Sequence, residues 1–411
     1  MKHPFRAVAF GLMLAALLAV RTTSAQPEDT LAVKEAATFL PEKKWTDVIN
    51  LRGYTQMRYN RLLETNPDLQ CEQCDRSWGG DGGFFFRRIR LIFFGNVHER
   101  IYFYIQPDFA SSPGGGRQQF AQIRDAYFDL ALDNKKEFRF RIGQSKVPFG
   151  FENLQSSQNR IPLDRNDGMN SAVANERDIG VFFYWAPFQI RKLFAEIQQK
   201  GLKHSGDYGV VGFGIFNGQT ANQPDLNRKF HTVGRFTYPI KFANGQIIEP
   251  GIQGYTGEVV LPIVTEGVQG TPDFEYVDQR AAATFVLYPQ PFGIQAEYNI
   301  GRGPEYNPTE NRIDVRDLHG GYATLCYKFE WGEQLFFPFG RYHYYEGGKK
   351  HERDATKHRV QELEIGVEWQ PIKNFELVAM YTISRRTAEN AINPMNTEAG
   401  RLLRLQFQLN F

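Results

Sequence analysis

The chain has 411 residues, with 48 Lys and Arg against 46 Asp and Glu, and 42% of its residues are hydrophobic. A mean hydropathy of −0.46 excludes a helical membrane protein, and the balanced charge lacks the basic excess typical of nucleic-acid binding. Three cysteines are too few for a disulfide scaffold.

The N-terminus has the pattern of an export signal. Lys2 and Arg6 precede an apolar run over residues 7–20, which is too short for a bilayer-spanning helix of about 20 residues. Small residues around Ala25 form a cleavage site, so we predict a signal peptide at 1–25. Residues 26–47 are predicted to form a short periplasmic N-terminal extension, and a disordered leader is the alternative.

From residue 48 to the C-terminus, apolar and polar residues alternate with the period of a β-strand. Ile101, Phe103 and Ile105, for example, alternate with Tyr102 and Tyr104. The pattern predicts sixteen strands, at 48–60, 84–97, 100–110, 120–132, 136–147, 178–186, 208–217, 229–239, 247–261, 277–288, 292–301, 319–329, 334–345, 358–370, 374–385 and 401–411.

The connections distinguish a membrane barrel from a soluble sandwich. Links after even-numbered strands are mostly tight, whereas links after odd-numbered strands are mostly long, at 61–83, 148–177, 262–276, 302–318, 346–357 and 386–400. Short turns at one rim and long loops at the other are typical of a transmembrane antiparallel β-barrel, with its turns in the periplasm. We therefore predict an all-β barrel over residues 48–411 with about 16 strands. The 187–207 link is too long for a turn, and we expect it to contain an extra hairpin.

Several segments resemble the phosphate-selective porin O and P family. They are Phe86-Arg87-Arg88-Ile89-Arg90-Leu91, Arg124-Asp125-Ala126-Tyr127-Phe128-Asp129-Leu130, Arg141-Ile142-Gly143-Gln144-Ser145-Lys146-Val147-Pro148-Phe149-Gly150, Arg177-Asp178-Ile179-Gly180-Val181 and Phe216-Asn217-Gly218. The resemblance implies a water-filled channel in the outer membrane of a Gram-negative-type bacterium. It further implies passive diffusion of small polar solutes and anions, including phosphate, through a homotrimer set in outer-membrane lipid.

The terminal strand ends in Phe411, with apolar residues at every second position before it. This arrangement resembles the signal that the outer-membrane assembly machinery recognises. An ordinary amphipathic edge strand is the alternative.

Directing the apolar residues toward lipid places many charged residues in the lumen. The basic set is Arg88, Arg90, Arg100, Arg139, Arg141, Arg235 and Arg404, and the acidic set is Asp108, Asp125, Asp129, Glu297, Glu362, Glu364, Glu368 and Glu376. Arginines in a column could pass anions from one to the next. The alternative is an ion-paired wall, because aspartates lie on the same early strands. The glutamates on late strands predict an opposing acidic wall, and hence a field across the pore that favours small polar or zwitterionic solutes.

The loop at 148–177 matches in position the loop that folds inward in this family. Its constriction candidates are Lys146, Arg160, Asp164, Arg165 and Asp167. The alternative is an external loop that contributes nothing to the constriction.

We predict no catalytic residue, metal or cofactor. Cys71 and Cys74 resemble half of a zinc site, but a second ligand pair is absent, so a small loop disulfide is the better prediction. Two alternatives remain, an outer-membrane barrel enzyme and a non-selective structural or carbohydrate-binding β-protein.

Overall fold

The computed structural model describes residues 48–69, 83–110 and 120–411. The described residues belong to one compact unit, Val48–Phe411. The signal peptide at 1–25, the extension at 26–47 and the pair Cys71 and Cys74 lie outside the described residues and stay predictions. No helix of the described part is long and apolar enough to cross a membrane.

Sixteen strands form the fold, two of them in two segments. They are β1 Asn50–Leu62, β2 Phe84–His98, β3 Ile101–Asp108, β4 Gln122–Ala131, β5 Phe138–Lys146, β6 Arg177–Trp185, β7 Val211–Phe216, β8 His231–Thr237 with Ile240–Lys241, β9 Ile247–Val260, β10 Glu275–Leu287, β11 Phe292–Asn307, β12 Arg312–Tyr327 with Phe329–Trp331, β13 Gln334–Gly348, β14 Lys357–Ile372, β15 Phe375–Glu389 and β16 Asn396–Asn410. Short helices lie between strands: α1 Phe151–Leu154, α2 Asp167–Asn170 and α3 Phe188–Gln199, with 3-10 turns at Ala174–Glu176, Pro272–Phe274 and Arg353–Ala355.

Every strand pairs antiparallel with its neighbours in sequence, and β1 pairs with both β2 and β16. The sheet is therefore closed. This closed sheet confirms the predicted barrel of sixteen antiparallel strands. Closure leaves no unpaired sheet edge within the described strands, as a membrane barrel requires.

The alternation in sequence corresponds to two faces of the barrel wall. On β14, Leu363 and Ile365 are exposed on the outer face, whereas Glu362 and Glu364 are buried inside. The same alternation holds on β4, where Phe128 is exposed and Asp129 is buried. An apolar exterior and a polar interior suit a wall between lipid and an aqueous lumen.

Several predicted boundaries were wrong. Strands β11 and β12 pair through Asn307 and Arg312, so most of the predicted loop at 302–318 is a hairpin. The loops predicted at 346–357 and 386–400 are shortened in the same way, to residues 349–356 and 390–395. The 187–207 link contains helix α3 rather than an extra hairpin. Glycines and charged residues suggested loops there, but each strand gains a full ladder of backbone hydrogen bonds by continuing.

The barrel closes where β1 meets the C-terminus. The backbone amides of Gly53 and Phe411 each donate to the other residue's carbonyl oxygen, at 2.7 and 3.0 Å. A Cβ atom on residue 53 would lie 2.6 Å from the backbone oxygen of Arg90 and 2.6 Å from ring carbons of Phe411. Only glycine fits at this point of the seam.

Gly53→Val is therefore expected to prevent closure, so that purified protein lacks the compact, heat-modifiable band of a folded barrel on SDS gels. Gly234→Ala is the control, because no atom lies within 4 Å of the added Cβ. Normal folding of the Gly53→Val protein would show that the seam tolerates a side chain.

Candidate functional site

Residues 147–176, which join β5 to β6, lie inside the barrel and contact its wall on several sides. Asp164 accepts a hydrogen bond from Arg58 on β1 at 2.9 Å and another from Arg404 on β16. The Ser157 hydroxyl lies 2.6 Å from that of Tyr54 on β1. Burial raises the pKa of the Asp164 carboxyl, but Arg58 and Arg404 outweigh it and hold this pKa well below its usual range.

On the other side of the barrel, Arg341 of β13 joins this loop to the wall. Its guanidinium donates to Glu152 of α1 at 2.6 Å and to Glu364 of β14. Glu152 also accepts from the backbone and side-chain amides of Asn166, at 2.8 and 2.6 Å. Arg341, Glu152 and Glu364 are all fully buried. One arginine thus fixes both the loop's fold and its attachment.

A second attachment centres on Asp167 of α2. Its carboxylate lies 2.5 Å from the Lys349 ammonium and 3.0 Å from the Arg386 guanidinium on β15. His343 on β13 approaches it at 3.4 Å. Glu297 on β11 completes the contacts by accepting from the backbone amides of Phe151 and Glu152, at 2.6 and 2.7 Å.

Apolar contacts fill much of the lumen around this loop. Phe149 and Met169 of the loop pack in one buried cluster with inward residues of β6 to β12, and Ile161 and Leu163 pack against Phe337 of β13 in another.

The arginines of the early strands are mostly held by carboxylates. Arg235 pairs with Glu249 at 3.2 Å. Arg88, in contrast, donates to Gln56 at 2.8 Å and has no carboxylate partner within the described ranges 48–69, 83–110 and 120–411. The other pairs are Arg90 with Asp108 at 2.7 Å, Arg141 with Asp129 at 2.7 Å, Arg139 with Asp207 at 2.8 Å and Arg177 with Asp125 at 2.8 Å. These contacts are the ones expected for an ion-paired wall, the alternative to a column of free arginines. Arg100 lies in the turn between β2 and β3 and is exposed at the rim.

The late glutamates do not form the expected open acidic wall. Glu362 is bound by Arg386 at 2.9 Å, and Glu364 by Arg341. Glu368 is bound by Lys203 at 2.5 Å, and Glu376 receives a hydrogen bond from Asn410 at 3.1 Å. The cations come from neighbouring strands and from the inserted segments, so three of these glutamates are paired, whereas Glu376 and Glu297 are held by neutral donors.

The remaining constriction candidates are cationic. The Lys146 ammonium donates to the carbonyl oxygens of Leu154 and Gln155, at 2.9 and 2.6 Å. Arg165 pairs with Glu176 and is part-buried. Arg160 donates to the carbonyl oxygens of Pro162 and Leu163, at 3.0 and 2.8 Å.

A second segment enters the lumen from the short-turn rim. After α3, Lys203 is buried and accepts a hydrogen bond on its carbonyl oxygen from Gln155 of the loop, at 2.6 Å. Asn159 and His204 are joined by a 3.1 Å hydrogen bond. Ile197 and Leu202 pack in a buried cluster with Phe151. The two insertions therefore touch each other inside the barrel.

Beneath the loop, between α3 and the early strands, lies a cavity of about 740 Å³, which we call the basic chamber. Eight basic and three acidic side chains line it, a formal surplus of five positive charges. They are Arg52, Arg100, Lys136, Arg139, Arg141, Lys146, Arg177 and Arg191 against Asp125, Asp129 and Asp207. Four tyrosines, Tyr102, Tyr104, Tyr127 and Tyr208, share the lining.

His343, Glu362 and Glu364 offer ligand atoms within 4.8 Å of one another. Arg386 and Arg341 already neutralise the two carboxylates. Without spare negative charge, this group is part of the ion-pair network and a poor site for a divalent cation.

Sequence reasoning missed Arg58, Arg177, Arg341, Arg386 and Asp207, which all take part in these networks. For Arg58 and Arg341 the signal was available, because each lies within a predicted strand at a position that alternation directs inward. Arg177 and Arg386 lie in the predicted loops at 148–177 and 386–400, although the structure places both on strands. Asp207 lies in the segment that follows α3, where alternation gives no direction.

Solved structures that share this architecture include three outer-membrane proteins. The outer membrane channel DcaP of Acinetobacter baumannii has a TM-score of 0.52 at 12% identity, covering 88% of this chain and 97% of that one. The trimer form of OmpT of Vibrio cholerae has a TM-score of 0.51 at 10% identity, covering 88% and 99%. An anion-selective porin from Comamonas acidovorans has a TM-score of 0.51 at 10% identity, again covering 88% and 99%. These likenesses concern the fold.

A search of curated proteins found no match. The family model described as phosphate-selective porin O and P, in contrast, matches residues 67–411, most of the chain. Family and fold agree on a channel in the outer membrane of Gram-negative bacteria. The chain belongs to the phosphate-selective porin O and P family and is an outer-membrane porin.

Proposed function

We propose that this porin is a diffusion channel with a moderate preference for small anions, which pass through the basic chamber. The observation that supports the proposal is the chamber's surplus of five positive charges. A pore selects by its width and by the charges that line it, so a positive chamber concentrates anions and repels cations.

The preference is expected to be moderate because most arginines already hold a carboxylate. Arg141 is bound in a bidentate way by Asp129, at 2.7 and 2.8 Å. Such a guanidinium has few donors left for a passing phosphate. Arg52 and Lys146, which also line the chamber, form no ion pair with a carboxylate of the described residues. We therefore propose that these two cations, rather than a column of arginines, set the preference.

We also propose that the loop at 148–177 forms the constriction and that the protein is a homotrimer. The loop's contacts with β1, β13, β15 and β16 support the first proposal. The trimer form of OmpT and the family resemblance support the second. We propose that the assembly machinery recognises Phe411, which lies at the closing seam, while the barrel inserts into outer-membrane lipid.

Planar-bilayer recordings test the preference. A tenfold potassium chloride gradient across wild-type channels should give a reversal potential that indicates anion preference. The double variant Arg52→Gln, Lys146→Gln should shift the reversal potential toward cation preference, because it removes two of the five surplus charges.

The matched control is Arg302→Gln, whose side chain is 57% exposed and lies outside the chamber lining. Its reversal potential should equal that of the wild type. Cation preference in the wild type would reject the proposed anion preference. An unchanged reversal potential in the double variant would reject the role of Arg52 and Lys146.

A further inference from the structure

A stripe of three aromatic rings runs along the basic chamber, and two of them, Tyr104 and Tyr127, line it. Phe94, Tyr104 and Tyr127 are direct cross-strand neighbours on β2, β3 and β4. The rings of Tyr104 and Tyr127 are stacked, with centroids 5.2 Å apart and planes 14° from parallel. Tyr104 and Tyr127 therefore present ring surface within the charged lining of the chamber.

A guanidinium covers each end of this aromatic stripe. Arg52 lies 5.4 Å from the centroid of Phe94, and Arg141 lies 4.0 Å from that of Tyr127. Cations over ring faces are attracted by the negative face of the ring. A solute that follows the stripe thus meets ring surface and positive charge together.

Arg52 and Arg141, the cations at the two ends of the stripe, differ in whether a carboxylate already binds them. Arg141 is bound by Asp129, whereas Arg52 has no ion pair with a carboxylate of the described residues. Lys146 uses two hydrogen bonds on the carbonyl oxygens of Leu154 and Gln155, and an ammonium has three donors. Arg52 and Lys146 can therefore accept the negative group of a solute in the chamber.

We propose that the basic chamber binds small aromatic carboxylates, with the ring against Tyr104 and the carboxylate toward Arg52 and Lys146. The cavity of about 740 Å³ lies within the usual range of ligand pockets. Inorganic phosphate would use the cations but leave the tyrosine faces unused, whereas a planar ring stacks on them. The inference rests on the proposed anion preference, which brings such solutes into the chamber. It adds that the anions bound most tightly carry an aromatic ring.

Calorimetry of the purified full-length protein in detergent tests binding without a bilayer. Benzoate, cyclohexanecarboxylate and inorganic phosphate are the three probes. Benzoate is expected to bind at least about fivefold more tightly than cyclohexanecarboxylate, which has the same charge and a similar size but no aromatic face. Arg52→Gln should weaken the binding of both carboxylates.

Tyr104 variants separate ring stacking from folding. Tyr104→Leu should weaken benzoate binding at least about fivefold and leave cyclohexanecarboxylate binding unchanged, whereas Tyr104→Phe should keep the wild-type affinity for both. Tyr342→Leu, on the outer face of β13 with half its surface exposed, is the control and should match the wild type.

Equal affinities for benzoate and cyclohexanecarboxylate, or tighter binding of phosphate than of benzoate, would overturn the proposal. So would loss of benzoate binding in the Tyr104→Phe protein. Failure of the proposed anion preference is seen separately, as cation preference in the bilayer recordings.

Discussion

Replacing Arg341 by Met is expected to detach the inward loop and destabilise the folded barrel. The change leaves the carboxylates of Glu152 and Glu364 buried without their shared cation. Breaking a buried ion pair by removing one partner costs about 3–5 kcal/mol. The folded band on SDS gels should be lost at a lower temperature, and single-channel conductance should rise as the loop leaves the lumen.

Arg302→Met provides the matched control, since Arg302 pairs with Asp317 at 3.3 Å on the exposed surface. An exposed pair is worth about 1 kcal/mol or less, so this variant should resemble the wild type. The triple variant Arg341→Met, Glu152→Gln, Glu364→Gln should regain most of the stability, because no buried charge is left unpaired. If Arg341→Met matched Arg302→Met in both measurements, the loop would not depend on this arginine.

Asp207→Asn is expected to increase the anion preference of the channel. Asp207 holds Arg139 and Arg191, each at 2.8 Å, and all three side chains line the basic chamber. Its neutralisation raises the formal surplus by one charge. A unit charge acting over roughly 8 Å in water is worth about 0.5 kcal/mol, which favours an anion and disfavours a cation by the same amount, so the ratio of anion to cation permeability should rise about fivefold.

The pH dependence follows from the same carboxyl. Burial raises the pKa of Asp207, but Arg139 and Arg191 outweigh it and the pKa is lowered. A carboxyl with a lowered pKa contributes stability above its unfolded pKa of about 3.9 and loses it as the pH falls through the folded value. The difference between wild type and Asp207→Asn should therefore persist from pH 7 to about pH 4 and vanish only in stronger acid.

Reversal potentials measured across this pH range test both expectations. Asp317→Asn is the control, because the Asp317 side chain is 89% exposed and lies outside the chamber lining. Equal reversal potentials for Asp207→Asn and wild type at pH 7 would show that the chamber's charge does not control permeation.

The barrel was predictable because apolar and polar residues alternate along each strand with a period of two. Helix α3 was also recoverable in principle, since Ile190, Leu193, Phe194 and Ile197 recur at helical rather than strand spacing. The long hairpin of β11 and β12 was not, because Gly301-Arg302-Gly303-Pro304 resembles a turn until its partner strand is known.

Ion-pair partners lay beyond sequence reasoning for another reason. Asp164 and Arg404 are separated by 240 residues, and nothing in either neighbourhood indicates the other. Inward positions followed from alternation, but the partners of Arg58, Arg341 and Arg404 depend on where the loop at 148–177 crosses the lumen. Alternation therefore suggested two opposed charged walls, with an ion-paired wall as the alternative, and most of the side chains form pairs.

The crossing of the lumen by this loop has an electrical consequence. Where an aqueous path is narrowest its resistance is highest. With the loop as the proposed constriction, most of an applied membrane voltage is expected to fall across the layer that contains Asp164, Asp167 and Glu152. A charge that moves across the whole voltage drop changes its energy by about 2.3 kcal/mol per 100 mV. That energy is comparable to the cost of separating one buried ion pair. We therefore expect applied voltages of a few hundred millivolts to loosen the contacts that hold the proposed constriction.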